Sequence, residues 1–135
     1  MYVLMGSNGN ITSRLAKILV GQGKKVKVIG RNAVHMKPLS EAGIELAIGR
    51  AVDAAFLQAQ FRGAEAVYAM IPPDYASPDH RQYQNAAGAA IAQAVASSDV
   101  KNVISLSSIG APLSDGTGPI AGLHDQEERL NKLTG

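Results

Sequence analysis

The sequence predicts an α/β domain: a doubly wound parallel sheet of about five strands, with helices on both faces. Three observations carry this. Short Val/Ile-rich runs alternate with longer segments of helical periodicity. Gly and Pro punctuate the joins between them. The chain has 135 residues, which fits one core, and neither an internal repeat nor a linker divides it.

The elements follow in order. Tyr2–Met5 is a short apolar strand ending at Gly6. The next helix starts near Asn10. It places Ile11, Leu15, Ile18 and Leu19 on one face and stops at Gly21–Gly23. The alternating run Lys25–Ile29 is the second strand. A short helix over Lys37–Ala42 leads to a third strand at Ile44–Ile48. Asp53 caps a helix reaching about Arg62, and Ala66–Ile71 is the fourth strand, closed by Pro72 and Pro73. From about His80 to Ser97, Tyr83, Ala87, Ile91 and Val95 stack every four residues along a long helix. Val100–Leu106 is the fifth strand, with an apolar edge that invites pairing with a second copy of the chain. A Gly/Pro/Ser-rich loop, Ser107 to Gly122, precedes an amphipathic segment from about Leu123 to Leu133. Such strand–helix alternation implies right-handed crossovers.

Composition excludes several function classes. There is no Cys, so disulfides, thiolate zinc sites and thiol nucleophiles are absent. The net charge is only +2, and aromatics make up 4% with no Trp, which argues against direct nucleic-acid binding. No run approaches the roughly 18 apolar residues of a membrane span. The N-terminal residues lack a signal-peptide pattern, so the expected setting is cytoplasmic. His35, His80 and His124 lack metal-ligand spacing, and no metal site is expected. Neither a nucleophile elbow nor a phosphate loop ending in Gly-Lys-Ser/Thr is present.

The most informative segment is Gly6-Ser7-Asn8-Gly9-Asn10-Ile11-Thr12. Gly6 turns the chain directly after the first strand, and Gly9 leaves room for close approach of a ligand. The helix that follows points its N–H groups and positive dipole end at the same spot, which suits a pyrophosphate. The alternative is a plain structural turn. A third Gly would be expected at position 12; Thr12 stands there, which should loosen helix–strand packing slightly.

The second strand ends in Gly30-Arg31. An acidic residue there would bind the ribose hydroxyls of NAD, whereas Arg accommodates the 2′-phosphate of NADP. No Asp or Glu precedes Glu41, so NADP(H) is expected over NAD(H). Otherwise Arg31 is an ordinary solvated side chain at a strand end.

Taken in order, Gly6 to Ile11, Gly30-Arg31-Asn32, Ala69-Met70-Ile71-Pro72-Pro73, Leu106-Ser107-Ser108-Ile109-Gly110-Ala111 and His124 through Glu128 resemble the NmrA-like branch of the atypical short-chain dehydrogenase/reductases. The resemblance runs the length of the chain. It implies a Rossmann-type NAD(P)-binding domain. Members are NADPH-dependent quinone, azo or flavin reductases, or redox sensors that bind dinucleotide without turnover. By this resemblance Gly6, Asn8, Gly9, Asn10 and Ile11 would line the pyrophosphate and Arg31 the adenosine phosphate. Ile71, Pro72 and Pro73 would border the nicotinamide side, with Ser107 and Ser108 near it. The family usually has Gly-Asp after the third strand; Gly49-Arg50 stands here, and Arg50 could stack on adenine or reinforce the phosphate contact. The resemblance also implies that 135 residues is about half of such a protein, with the substrate-binding part lying beyond Gly135.

Short-chain reductases generally pair a Tyr with a Lys four residues on, the Tyr donating a proton. His124 and Glu128 occupy those positions here, so the pair is missing. Reduction of a quinone or flavin needs less proton machinery, since the cofactor carries the hard chemistry. Ser107 and His124 are the remaining catalytic candidates. Both have simpler readings: Ser107 and Ser108 as polar punctuation, His124 as a surface residue at a helix start. Two functions stay open, a reductase of small-molecule acceptors and a sensor of the NADP(H) pool.

Overall fold

The computed structural model describes residues 1–72, 79–107 and 120–133. Five parallel strands form one sheet: β1 (Tyr2–Met5), β2 (Val26–Gly30), β3 (Glu45–Ile48), β4 (Ala66–Ala69) and β5 (Val103–Ser105). Five helices join and follow them: α1 (Asn10–Gly21), α2 (Lys37–Glu41), α3 (Ala54–Phe61), α4 (His80–Ser97) and α5 (Ile120–Asn131). The strand order is β3-β2-β1-β4-β5. Tyr2 pairs with Val26 on one side and Ala66 on the other, so β1 is central. The architecture is the predicted doubly wound sheet, helices on both faces.

Alternation along the strands divides the core in two. Leu4, Val26, Val28 and Tyr68 pack with Ala16 of α1 and Leu39 of α2. On the opposite face Val3, Met5, Ile29, Val67 and Ala69 meet Leu57 and Phe61 of α3 and Ala87, Ile91 and Ala94 of α4. From β1 the sheet grows outward through β2 and β3 on one side and then through β4 and β5 on the other, so the strand order reverses between β1 and β4 and a crevice opens at the carboxyl ends of those strands. Asp53 caps α3 by accepting a hydrogen bond from the Phe56 N–H, as its sequence position foretells. Among the described residues no helix is long and apolar enough to cross a membrane.

The structure revises several expectations. Helix α1 does not bury Ile11 and Ile18, which are 52% and 58% exposed. Its buried residues are Thr12 and Ala16, flanked by half-buried Leu15, Leu19 and Val20. Small side chains let the helix lie close to the sheet, and the isoleucines are left on its outer flank. Thr12 does not loosen this packing either: its hydroxyl donates to the Met5 carbonyl at 2.7 Å, tying the helix start to the end of β1. Strands β4 and β5 are shorter than predicted; the last rung between them is the Leu106 N–H to Ala69 carbonyl bond, and Met70 and Ile71 run on beyond it. Helix α5 starts at Ile120, three residues earlier than its apolar pattern suggests. The loop predicted from Ser107 to Gly122 falls largely outside the described residues. Strand β5 is the sheet edge, with Ile104 68% exposed.

Substituting Thr12→Val keeps the shape but leaves the Met5 carbonyl without its donor. We expect a loss of about 1–2 kcal/mol of stability in urea denaturation, since an orphaned buried acceptor costs about that much. A variant as stable as the parent would show that the clasp is dispensable.

Candidate functional site

The site grows from the turn after β1. Gly6 has φ +112°, a conformation that only glycine adopts readily, and a Cβ there would collide with Thr12 Oγ1 and Met70 Sδ. Ser7 follows at φ +53°, a left-handed conformation uncommon outside glycine. Its N–H donates to the Ile29 carbonyl at 3.0 Å, which lashes the turn to β2. Gly30 receives it closely; a Cβ at that position would meet Ser7 Oγ and Met36 Sδ. Gly9 is the N-cap of α1 and supplies no side-chain cap, and no acidic residue occupies the first turn. The first helical hydrogen bond runs from the Ser13 N–H to the Gly9 carbonyl, so the N–H groups of the first turn precede it. An uncapped helix start of this kind suits an anion.

A second turn faces the first. Asn32 Oδ1 accepts from the Val34 N–H at 3.0 Å and the His35 N–H at 3.2 Å. Asn8 Nδ2 then donates to the His35 carbonyl at 3.3 Å, so the loops after β1 and β2 are cross-linked. The Gly49 N–H donates to the Gly30 carbonyl, which brings in the end of β3. Between these strand ends lies a cavity of about 380 Å³, whose lining includes Gly6, Ser7, Arg31 and His35 together with the apolar Met70 and Pro72. No carboxylate is among its described lining residues.

The candidates from the sequence distribute unevenly. Gly6, Arg31 and Pro72 line the cavity together. Asn8, Gly9, Asn10 and Ile11 form the adjoining turn and helix start without lining it. Ile71 is buried in the α3/α4-side core, and its neighbours Met70 and Pro72 take the cavity wall. Arg50 is exposed outside the lining, next to Gly49 and Ala51, which do line it. Ser107 follows β5, its Oγ buried and without a hydrogen-bond partner among the described residues. His124 is half-buried on α5, away from the cavity lining. Pro73 and Ser108 lie outside the described residues. Sequence reasoning passed over Ser7, Asn32 and His35. The Asn32 amide two residues before Val34 is the one signal that could have marked the turn.

Asp125, beside His124, belongs to a structural link. Arg81 donates to it through Nε and Nη2, both at 2.8 Å, and that contact holds its carboxyl below the usual carboxylate range. On the sheet, burial pushes the Tyr68 phenol up, so it stays neutral within the α1-side core.

The sheet order, the glycine turn and the crevice at the reversal define a Rossmann-type dinucleotide-binding domain. A family model described as NAD(P)H-binding matches residues 6–128, and the chain belongs to that family. No curated protein matches the chain. Among solved structures, triphenylmethane reductase from Citrobacter sp., complexed with NADP(H), has a TM-score of 0.80 at 19% identity, over 97% of this chain and 45% of that one. An NADPH-dependent quinone oxidoreductase from Escherichia coli, complexed with NADPH, gives 0.78 at 16% identity, over 97% and 44%. A nucleoside-diphosphate-sugar epimerase from Pseudomonas aeruginosa gives 0.68 at 17%, over 87% and 36%. These likenesses establish the fold, and the chain spans less than half the length of each of these three structures. The described residues fit the family's ligand: an uncapped helix start beside a cavity whose described lining carries no carboxylate.

The Arg81–Asp125 link fixes a pH dependence. The Asp125 carboxyl is depressed in the folded state, so its contribution is present above the unfolded value and is lost as pH falls through the folded one. Asp125→Ala should cost up to about 1 kcal/mol at neutral pH, as partly exposed pairs do, and progressively less as acid protonates the carboxyl. Denaturation curves at neutral and acid pH check this; equal losses at both would remove the ion pair as the cause.

Proposed function

We propose that this chain is the cofactor-binding portion of an NmrA-like oxidoreductase that passes hydride from NADPH to a quinone-, azo- or flavin-type acceptor. The observation that carries the reading is the cavity joining the glycine turn after β1 to Arg31 after β2, with no acidic residue among its described lining residues. A carboxylate at that strand end would repel a 2′-phosphate; an Arg attracts it. The Gly6–Asn10 turn and the first-turn N–H groups of α1 hold the pyrophosphate. Arg31 holds the 2′-phosphate from the cavity rim, and Arg50, one residue beyond Gly49, reinforces the adenosine end. Met70 and Pro72 form an apolar wall on the nicotinamide side that keeps water from the reacting face. A reduced nicotinamide supplies the hydride chemistry at such a site. The solved structures that share the fold include a dye reductase and a quinone oxidoreductase, which supports the choice of acceptor class. A homodimer through the β5 edge and a cytoplasmic setting complete the reading.

One observation favours a second reading. The positions of the Tyr/Lys pair carry His124 and Glu128, and His124 lies away from the cavity. A module that senses NADP(H) without turnover needs no proton donor. Purified chain incubated with NADPH and a quinone distinguishes the two: steady oxidation supports the reductase, and binding without oxidation supports the sensor.

Arg31→Ala should weaken NADPH binding by about 10- to 100-fold, the range of one or two charge-assisted hydrogen bonds, and leave NADH nearly unchanged. Fluorescence titration with both cofactors measures this. Equal weakening of the two would sink the 2′-phosphate assignment.

A further inference from the structure

We propose that His35 is a second, charge-switched contact for the 2′-phosphate of NADPH, its imidazolium sharpening the discrimination against NADH as pH falls. The inference rests on the dinucleotide reading above and deepens it. His35 lines the same cavity as Arg31 and Asn32. It is exposed, yet its backbone is held from both sides: the N–H donates to Asn32 Oδ1 and the carbonyl accepts from Asn8 Nδ2. Two loops therefore fix where the backbone of this residue sits, and its side chain is carried on that fixed backbone at the cavity rim.

The surrounding charges suit a phosphate. From the β2 end the cavity presents Arg31, with Lys37 exposed at the start of α2. The glycine turn contributes only Gly6 and Ser7 to the lining, and the β3 end Gly49 and Ala51, with Arg50 exposed between them. Among the described residues no carboxylate lines the cavity to compete for the imidazolium. A phosphate dianion beside it favours the protonated ring. Proton uptake and phosphate binding are then linked, and by reciprocity protonation tightens NADPH. Imidazoles change charge between about pH 5 and 8, while a phosphate monoester loses its own dianion near pH 6, so the effect is read between about pH 6 and 8.

The test measures dissociation constants of NADPH and NADH across that window, for the parent chain and His35→Gln, with thermal unfolding of both as a check on folding. In the parent, NADPH should bind roughly tenfold tighter at the acid end, about 1.4 kcal/mol, with NADH flat. In His35→Gln the NADPH gain should vanish and NADH binding stay as in the parent. Superimposable NADPH profiles in the two proteins overturn the proposal, as does a variant that loses NADH and NADPH equally, because His35 would then only hold the loop. Tight but pH-independent NADPH binding by the parent overturns it without the variant. If neither cofactor binds at any pH, the dinucleotide reading falls, and His35 with it.

Discussion

The way the chain leaves β1 governs everything around the crevice. Within eight residues it must end a buried strand, reverse, and start a helix that lies against the same strand. Gly6 supplies a backbone conformation closed to other residues, Ser7 extends the left-handed turn, and Thr12 ties the helix start back to the Met5 carbonyl. Because the turn is also bonded to β2 through the Ser7 N–H, its position is set by the sheet and not by a ligand. An anion arriving there meets donors already in place, so little ordering remains to oppose binding.

The second loop depends on the first. Asn8 reaches from the glycine turn to the His35 carbonyl, while Asn32 holds the same residue from within its own turn. The glycine turn proposed for the pyrophosphate and the loop after β2 proposed for the adenosine are thus one hydrogen-bonded unit. This gives Asn8 a role between the loops, and it explains why the residue is absent from the cavity wall.

Much of this was legible in the residues. Alternation of Val/Ile runs with helical segments placed every strand and helix, because burial on both faces of a parallel sheet leaves continuous apolar stretches. Gly6, Arg31 and Pro72 were readable as site residues because backbone freedom, charge and chain reversal are properties of the residue type. The buried face of α1 was not. Ile11 and Ile18 carry the stronger hydrophobic signal, but Thr12 and Ala16 win the contact because closeness to the sheet depends on small size. Thr12 as a clasp was equally hidden: whether a hydroxyl loosens or locks depends on an acceptor five residues before the helix start, at the strand end. Ser7, Asn32 and His35 act through backbone hydrogen bonds across loops, which no periodicity records.

All of the described residues that line the cavity fall within the first 72, from Met5 to Pro72. Synthesis proceeds from that end, so every cavity-lining group of this set emerges from the ribosome before α4 and β5 do. The supporting core has not: Ala87, Ile91 and Ala94 of α4 still have to cover Val3, Met5 and Val67. The nascent chain therefore passes through a stage in which the dinucleotide cradle is spelled out but unsupported. A ligand that engages only the folded cradle would draw that stage forward by mass action, favouring the docking of α4 and of the last strand, β5.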